Sequence, residues 1–555
     1  MTKKIFFLAF CLSLSLFIMG QTVCYTGSIS NFLQVKIMDM EKTTDDELII
    51  AVNFQGHRHM GDYYGLYKYH NTGEIEWKFQ FFANDNTLTD YLFLNLTLDD
   101  ENNIYGLVYI NGGSSVQEYQ IEDKTVYSGL NLMKINPQGE VLWNKKIGEN
   151  VINENACIDY KNGNLYIMGT YIDSLNLDNQ FTFISQKYYQ CYMWMYQSGT
   201  DYFIAKYDTN GVLKNATSFG EDYPDDIISM EIDDSENIYF TGVSDNFPCV
   251  SSYTHITKLD SCLNFQWIST LSHDVDSPVY IPMNIHYSKN GKIYLWNIEI
   301  DNISNGVFVT ANKSPCLMEI DKENGQILRK LSIETSLGTT DFVSIIRYFI
   351  NGFIDDFGND LIVHTAVSNK LIIGNDTTSL KEFNHTFVLL RINLADFSAT
   401  FIKKFEGETN GRHFWNVPGK IITDEQYIYF SGEFGENPLA IYDATITNMS
   451  ANYLIYGTDV FFCKIDMSSY LNGLGIQNYQ SHTNRVLVFP NPVSEILYIQ
   501  TESEILNLKI FSIDGKNVFS SAKTNKVDVS KLKKGLYFIN IRTDKGTEAV
   551  KIIVK

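Results

Sequence analysis

Leu-Asp-Asp-Glu-Asn-Asn-Ile-Tyr at 98–105, followed by Leu-Met-Lys-Ile-Asn-Pro-Gln-Gly-Glu-Val-Leu-Trp at 132–143, decides the fold, because both phrases recur along the chain. The first returns as Asp-Tyr-Lys-Asn-Gly-Asn-Leu-Tyr (159–166), Ile-Asp-Asp-Ser-Glu-Asn-Ile-Tyr (232–239) and Tyr-Ser-Lys-Asn-Gly-Lys-Ile-Tyr (287–294). Further copies are Ile-Asp-Asp-Phe-Gly-Asn-Asp-Leu-Ile (354–362) and Thr-Asp-Glu-Gln-Tyr-Ile-Tyr (423–429), with a weaker first copy at 45–49. The second phrase follows each time, as Ile-Ala-Lys-Tyr-Asp-Thr-Asn-Gly-Val-Leu (204–213), Ile-Thr-Lys-Leu-Asp (256–260) or Phe-Cys-Lys-Ile-Asp (462–466). Aligned on Ile49, Tyr105, Tyr166, Tyr239, Tyr294, Ile362 and Tyr429, the copies make seven paired units. In each, runs of Ile, Tyr, Phe and Val alternate with Asp/Asn/Gly turns, which is the signature of four short strands.

Four antiparallel strands repeated seven times is the arithmetic of a β-propeller. One twisted four-stranded sheet cannot cover both its faces, whereas radial packing covers them and ring closure limits exposed edges. The expectation is an all-β chain with a seven-bladed β-propeller over 21–475, six and eight being the neighbouring counts, and a small C-terminal β-sandwich. The repeats resemble the extracellular β-propeller repeat families of bacteria, a resemblance that implies fold and little about ligand. Gly73 and Gly139 stand four residues ahead of Trp77 and Trp143. This is similar to the Asp-box turn of sialidases and the blade turn of quinoproteins, where Gly and Trp are structural. No catalytic role follows.

The ends of the chain read as addresses. Lys3 and Lys4, the apolar run Ile5–Met19 and Gly20 fit a cleaved secretory signal over 1–20. After a polar linker at 476–483, residues 484–555 alternate as seven further short strands with a hairpin turn at Asp514-Gly515. This segment resembles the type A C-terminal sorting domain of the bacterial type IX secretion system. The resemblance rests on Pro490-Asn491-Pro492, Gly515-Lys516, Ser530 with Leu532, Gly535-Leu536-Tyr537 and the terminal run from Lys551. It implies export through the periplasm to the outer surface or medium, with the secretion machinery as partner. It also implies removal by a sortase-like peptidase, cutting between about Gly475 and Asn484, and release or attachment to surface lipopolysaccharide.

Net charge is −22, and the tail from 484 carries +5 of it, so the remaining body is strongly acidic. Such a body repels phosphates, which argues against nucleic-acid partners. Seven cysteines outside the signal show no CxxC spacing, so no zinc site is expected. Cys249 and Cys262 are candidates to bridge neighbouring strands, the alternative being isolated buried thiols. The pairs Asp99/Asp100, Asp233/Asp234 and Asp355/Asp356 lack the alternation of a calcium loop and read as turn residues. His57 and His59 read as a polar strand face. No lipase, zincin, Walker or dinucleotide motif is present, and no cofactor is implied. The ligand-binding candidates are Tyr188, Tyr189, Tyr192, Trp194 and Tyr196, in an insertion where flat aromatic faces suit sugar or protein contacts. The chain therefore reads as a non-enzymatic surface module for glycan or protein. The alternative is a polysaccharide hydrolase or lyase with carboxylates gathered from several blades at a channel mouth.

Overall fold

A computed structural model describes residues 23–29, 34–55, 63–81, 90–111, 118–121, 124–152, 156–185, 188–191, 195–198, 200–220, 225–246, 251–271, 279–300, 313–336, 352–367, 370–374, 376–378, 386–405, 417–435, 439–441, 444–446, 458–467, 487–501, 505–512, 516–543 and 546–555. Every regular element among them is a β-strand, and the chain divides into two units, 1–469 and 470–555.

The first unit holds seven four-stranded antiparallel sheets, numbered here in chain order. Sheet 1 runs Gln34–Lys42, Leu48–Gln55, Tyr63–Tyr69 and Ile75–Phe81. Sheet 2 runs Asp90–Leu98, Ile104–Asn111, Gly129–Ile135 and Val141–Gly148, and sheet 3 Cys157–Lys161, Asn164–Ile172, Thr200–Asp208 and Leu213–Phe219. Sheet 4 is Asp225–Ile232, Ile238–Asn246, Ser251–Leu259 and Phe265–Thr270; sheet 5 is Val279–Tyr287, Ile293–Ile300, Lys313–Ile320 and Ile327–Ser332. Sheet 6 is Gly352–Phe357, Asp360–Val367, Thr386–Asn393 and Ser398–Phe405. Sheet 7 takes Val417–Thr423, Tyr427–Phe434 and Asp459–Asp466 from its own unit, and its fourth strand is Val23–Ile29 from the start of the chain. The first strand of each sheet packs on the first strand of the next, and that of sheet 7 packs on that of sheet 1.

The repeated phrases have a physical cause. The aligned Ile/Tyr of each second strand pairs with one position on the third: Lys68, Lys134, Lys206, Lys258, Glu319, Arg391 and Lys464. Where Tyr meets Lys, the ammonium sits over the ring, at 5.0 Å for Lys134 and Tyr105 and 5.4 Å for Lys258 and Tyr239. Asp99 and Asp233 cap their turns, accepting the amides two and four residues on, and accept the hydroxyls of Tyr105 and Tyr239. The pair Asp355/Asp356 departs from the turn reading. Sheet 6 turns in fewer residues, so both carboxylates fall on the strand Gly352–Phe357.

In six of the seven sheets the fourth-strand residue opposite that Lys position reaches the following sheet. Trp77 Nε1 donates to Pro137 O (2.9 Å) over Gly139, Trp143 lies on Gly211, and Asn215 donates to Cys262 O (2.8 Å). Trp267 donates to Lys322 O (3.3 Å) over Gly325, Arg329 donates to Leu394 O (3.1 Å), and Tyr25 lies on Gly73. These glycines have φ of +74 to +88°, and the rings take the space a Cβ would need. The Gly and Trp of the second phrase thus join sheet to sheet. Second strands are buried on both faces while fourth strands such as Phe265–Thr270 alternate, as expected when neighbouring sheets cover the inner strands only.

The second unit pairs Leu487–Phe489, Ile496–Gln500 and Lys526–Asp528 in one sheet. Asn517–Ser521, Ile505–Ser512, Gly535–Thr543 and Gly546–Val554 form the other, and the two bury a shared core of Leu497, Leu508, Ile510, Val529, Ile539 and Ile552. Asn491 Oδ1 accepts Ile553 N–H (2.9 Å), tying the Pro490-Asn491-Pro492 segment to the terminal strand. Tyr537 is buried and donates to Lys533 O (2.8 Å); Gly535 opens that strand and Lys516 is exposed. Gly515 and the Lys551 side chain lie outside the described residues.

Candidate functional site

The first strands are where the sheets meet, and between them lies a cavity of about 510 Å3 lined from all seven sheets. Its geometry follows from register. The first-strand residues opposite the aligned Ile/Tyr positions are Glu41, Thr97, Asp159, Glu231, His286, Asp355 and Ile422. Residues two positions back point the same way, giving a second layer of Asp39, Asn95, Cys157, Ser229, Asn284, Phe353 and Lys420. All of these but Thr97 line the cavity, joined by Glu433 from a second strand. Six carboxyl groups therefore face one histidine and one lysine.

Bulges in the first strands of sheets 1, 2, 4 and 5 fall just before Asp39, Asn95, Ser229 and Asn284. A bulge re-aims the side chain that follows it, and here each turns onto an N–H of the adjacent sheet. Asp39 accepts from Leu96 N (2.9 Å) and Asn95 Nδ2 (2.6 Å), and Asn95 Oδ1 accepts from Ile158 N (2.8 Å). Ser229 Oγ accepts from Ile285 N (3.3 Å) and Asn284 Oδ1 from Ile354 N (3.1 Å). Asp355 accepts from Thr423 N (2.6 Å) and Glu433 from Ile37 N (3.2 Å), which carries the series from sheet 7 to sheet 1.

Two cations staple the walls. Lys420 lies 3.3 Å from Asp39 and pairs with Glu41. Burial opposes its charge, but the fields of Asp39 and Glu41 outweigh that and raise its pKa. His286 Nε2 lies 3.3 Å from Asp356 Oδ2, an ion-pair distance without hydrogen-bond alignment, and 3.9 Å from Asp355; Nδ1 lies 4.0 Å from Glu231. Burial disfavours the imidazolium, yet these three carboxylates prevail and push it up to about 9. Asp356 is held below the usual carboxylate range, although burial opposes this, by His286, Ser288 and the Lys289 amide. Burial pushes Glu41, Glu231 and Glu433 up to about 7, and it raises Asp159 and Asp355.

Outside this cavity, Glu47, His70 and Glu76 are the one trio of described residues whose ligand atoms could share a metal ion. The Lys68 ammonium already sits there, 2.8 Å from Glu47 and 2.7 Å from Glu76. Of the aromatic insertion, Tyr188–Cys191 pairs with Met195–Ser198 as a hairpin between the second and third strands of sheet 3. Tyr192, Trp194 and the side chains of Tyr188, Tyr189 and Tyr196 lie outside the described residues, as do His57, His59 and Cys249. Cys262 is a free, exposed thiol. The cavity layer escaped motif reading because it stands seven residues ahead of the aligned position where the turn is short and eight where it is long.

Residues 487–555 match the secretion system C-terminal sorting domain family. That domain marks proteins exported to the cell surface or secreted, and it implies contact with the type IX secretion machinery. No curated protein matches the chain. Among solved structures it is similar to the phage phi92 endosialidase, at 10% identity over 98% of this chain and 87% of that one, with a TM-score of 0.40. A polysaccharide lyase PL25 ulvan lyase is similar at 11% identity, 77% and 98% coverage and TM-score 0.42. The acylaminoacyl peptidase of Pyrococcus horikoshii is similar at 9%, 85% and 59% coverage and 0.38. With TM-scores below 0.5, none bears on what this chain does.

Proposed function

We propose that the seven sheets are the blades of a seven-bladed β-propeller, exported as a binding module whose ligand is a glycan held in the axial cavity. The observation that carries this reading is the cavity itself. Every sheet contributes a first strand, the volume falls in the range of small-ligand pockets, and convergent polar groups with displaced pKa values line it. Hydroxyl donors of a sugar find carboxylate acceptors on several walls. The aromatic insertion, with Tyr188, Tyr189, Tyr192, Trp194 and Tyr196, is a second candidate contact for the sugar. The type IX machinery delivers the chain, and a sortase-like peptidase cuts between about Gly475 and Asn484, releasing the propeller or attaching it to lipopolysaccharide.

The test is glycan-array binding by the purified exported protein, repeated with Asp355→Asn and Trp194→Ala. Loss of a charge-assisted hydrogen bond should weaken binding about tenfold or more. Retention of no glycan, or full binding by the Asp355 variant, refutes the cavity as the site.

A second reading, a polysaccharide hydrolase, is favoured by carboxyls held near 7, where one group can both give and take a proton at neutral pH. Release of new reducing ends would establish it. A lyase fits less well. It needs a cation to neutralise a uronate, and both cavity cations are already engaged by carboxylates.

A further inference from the structure

The C-terminal unit is rich in exposed apolar side chains. Six of the fourteen exposed large apolar residues among the described residues fall in 487–555, a small fraction of the chain, and three of the six are aromatic. On the four-stranded sheet Leu508, Ile510, Ile539, Ile541 and Ile552 point into the core, so the residues alternating with them face outward. Register sets Phe511 opposite Phe538 and, one row on, Leu536 opposite Ile553. Phe538 is 42% and Ile553 41% exposed, while Phe511 and Leu536 are half-buried. The rows on the other side bring Lys509 opposite Asn540 and Arg542 opposite Asn507, with both cations exposed. Among the described residues no carboxylate stands on this face. The outer face of the three-stranded sheet differs, because Phe489, Tyr498 and Ile496 share it with Lys526 and Asp528, whose charges offset each other.

We propose that this face, centred on Phe538 and Ile553 and flanked by Lys509 and Arg542, is where the sorting domain docks onto the type IX secretion machinery, and that it meets an apolar protein patch bordered by carboxylates. The family match implies contact with that machinery, and contact needs a surface that the fold leaves uncovered. Protein interfaces draw their affinity from aromatic anchors covered on docking, and complementary charges at the rim set orientation. The fold does not require an apolar outer face here, since Ser520 and Asn540 occupy it in the neighbouring row. A second copy of the domain fits less well as the occupant. The segment from 484 carries +5, and two such faces, each with cations and no carboxylate, repel. This docking is independent of what the axial cavity holds.

The test is export of the full chain by a bacterium carrying the type IX system, read as the ratio of chain at the surface and in the medium to chain in the periplasm. Phe538→Ser and Lys509→Glu should each lower that ratio about tenfold or more, whereas Tyr498→Ser on the other outer face should change it less than about twofold. Lys509 is exposed, so a thermal melt of its variant should match wild type and separate docking from folding. Wild-type export of either variant, or an equal loss in Tyr498→Ser, overturns the assignment. Two further measurements on the purified full chain identify rival occupants. Binding to anionic phospholipid vesicles that Lys509→Glu abolishes would put lipid on this face. A dimer in sedimentation that Phe538→Ser dissociates would put a second copy there. Either result overturns the docking of the secretion machinery, and absence of both alongside the export loss supports it.

Discussion

Asp39→Asn tests whether the cavity side chains hold the sheets together. The Asp39 carboxylate is 3% exposed and receives four donors: Met40 N at 2.8 Å, Asn95 Nδ2 at 2.6 Å, Leu96 N at 2.9 Å and the Lys420 ammonium at 3.3 Å. An amide of the same shape has one acceptor oxygen. Turned towards sheet 2, its oxygen satisfies Asn95 and Leu96 and its NH2 confronts Met40 and Lys420; turned the other way, the conflict falls on sheet 2. Two donors are stranded in either rotamer. A buried donor left without a partner costs about 1–3 kcal/mol, and Lys420 keeps Glu41, so the loss should be about 3 kcal/mol. Urea unfolding followed by tryptophan fluorescence reads this as a lower midpoint at unchanged slope. Adding Asn95→Asp restores an acceptor opposite the new amide and should recover about 1 kcal/mol as coupling between the two sites. A loss below about 0.5 kcal/mol, the range of surface substitutions, or no recovery in the double variant, would show that these side chains do not join sheets 1 and 2.

The cavity should also make stability fall as pH rises. Glu41, Glu231 and Glu433 titrate at about 7 folded against 4.5 unfolded, and His286 at about 9 against 6.5. In both cases the folded state holds protons the unfolded chain has released, so melting temperature should drop from about pH 5 to pH 9, and a flat profile would contradict the burial of these groups. Gly325→Ala and Gly358→Ala separate contact from conformation, since both have positive φ but a Cβ meets Trp267 at 2.6 Å in the first and open space in the second. The Gly358 variant should lose about 1 kcal/mol and the Gly325 variant clearly more in the same unfolding assay; equal losses would remove the Trp267 contact from the account.

Much of the fold was legible because the repeated phrases record repeated contacts. Tyr105 and Lys134 recur as Tyr166 and Lys206 or Tyr239 and Lys258 since each pair meets across the same two strands. Trp77 and Gly139 were legible for the same reason, although their contact joins different sheets. The fourth strand of sheet 7 was not. Val23–Ile29 pairs with Asp459–Asp466 from the far end of the chain, and neither repeated phrase marks it. The Asp355/Asp356 pair looked like its counterparts at 99 and 233, but a shorter turn shifts both onto the strand and Asp355 into the cavity. The bulges of the first strands are equally silent in sequence, and they decide which side chains cap the next sheet.

The same contrast separates scaffold from site. A position that makes one contact in most sheets is filled alike in most of them, as the third-strand position shows with lysine in five of seven. The cavity layer has no uniform contact to make, and its members are four acidic residues, a histidine, a threonine and an isoleucine. Thr97 and Ile422 show that neutral side chains fit this layer as readily as charged ones. Enclosing an ion costs several kcal/mol unless a partner compensates it, and Glu41 and Asp355 have Lys420 and His286 close by. Glu231 lies 4.0 Å from His286, almost as close as Asp355 at 3.9 Å, and the fields of Lys420 and Lys161 oppose the burial of Asp159. A scaffold requirement explains the paired charges, because they fasten sheet to sheet. The pair between sheets 3 and 4 makes no fastening bond of that kind among the described residues, and it is held instead by the fields of His286 and Lys420 from the neighbouring walls.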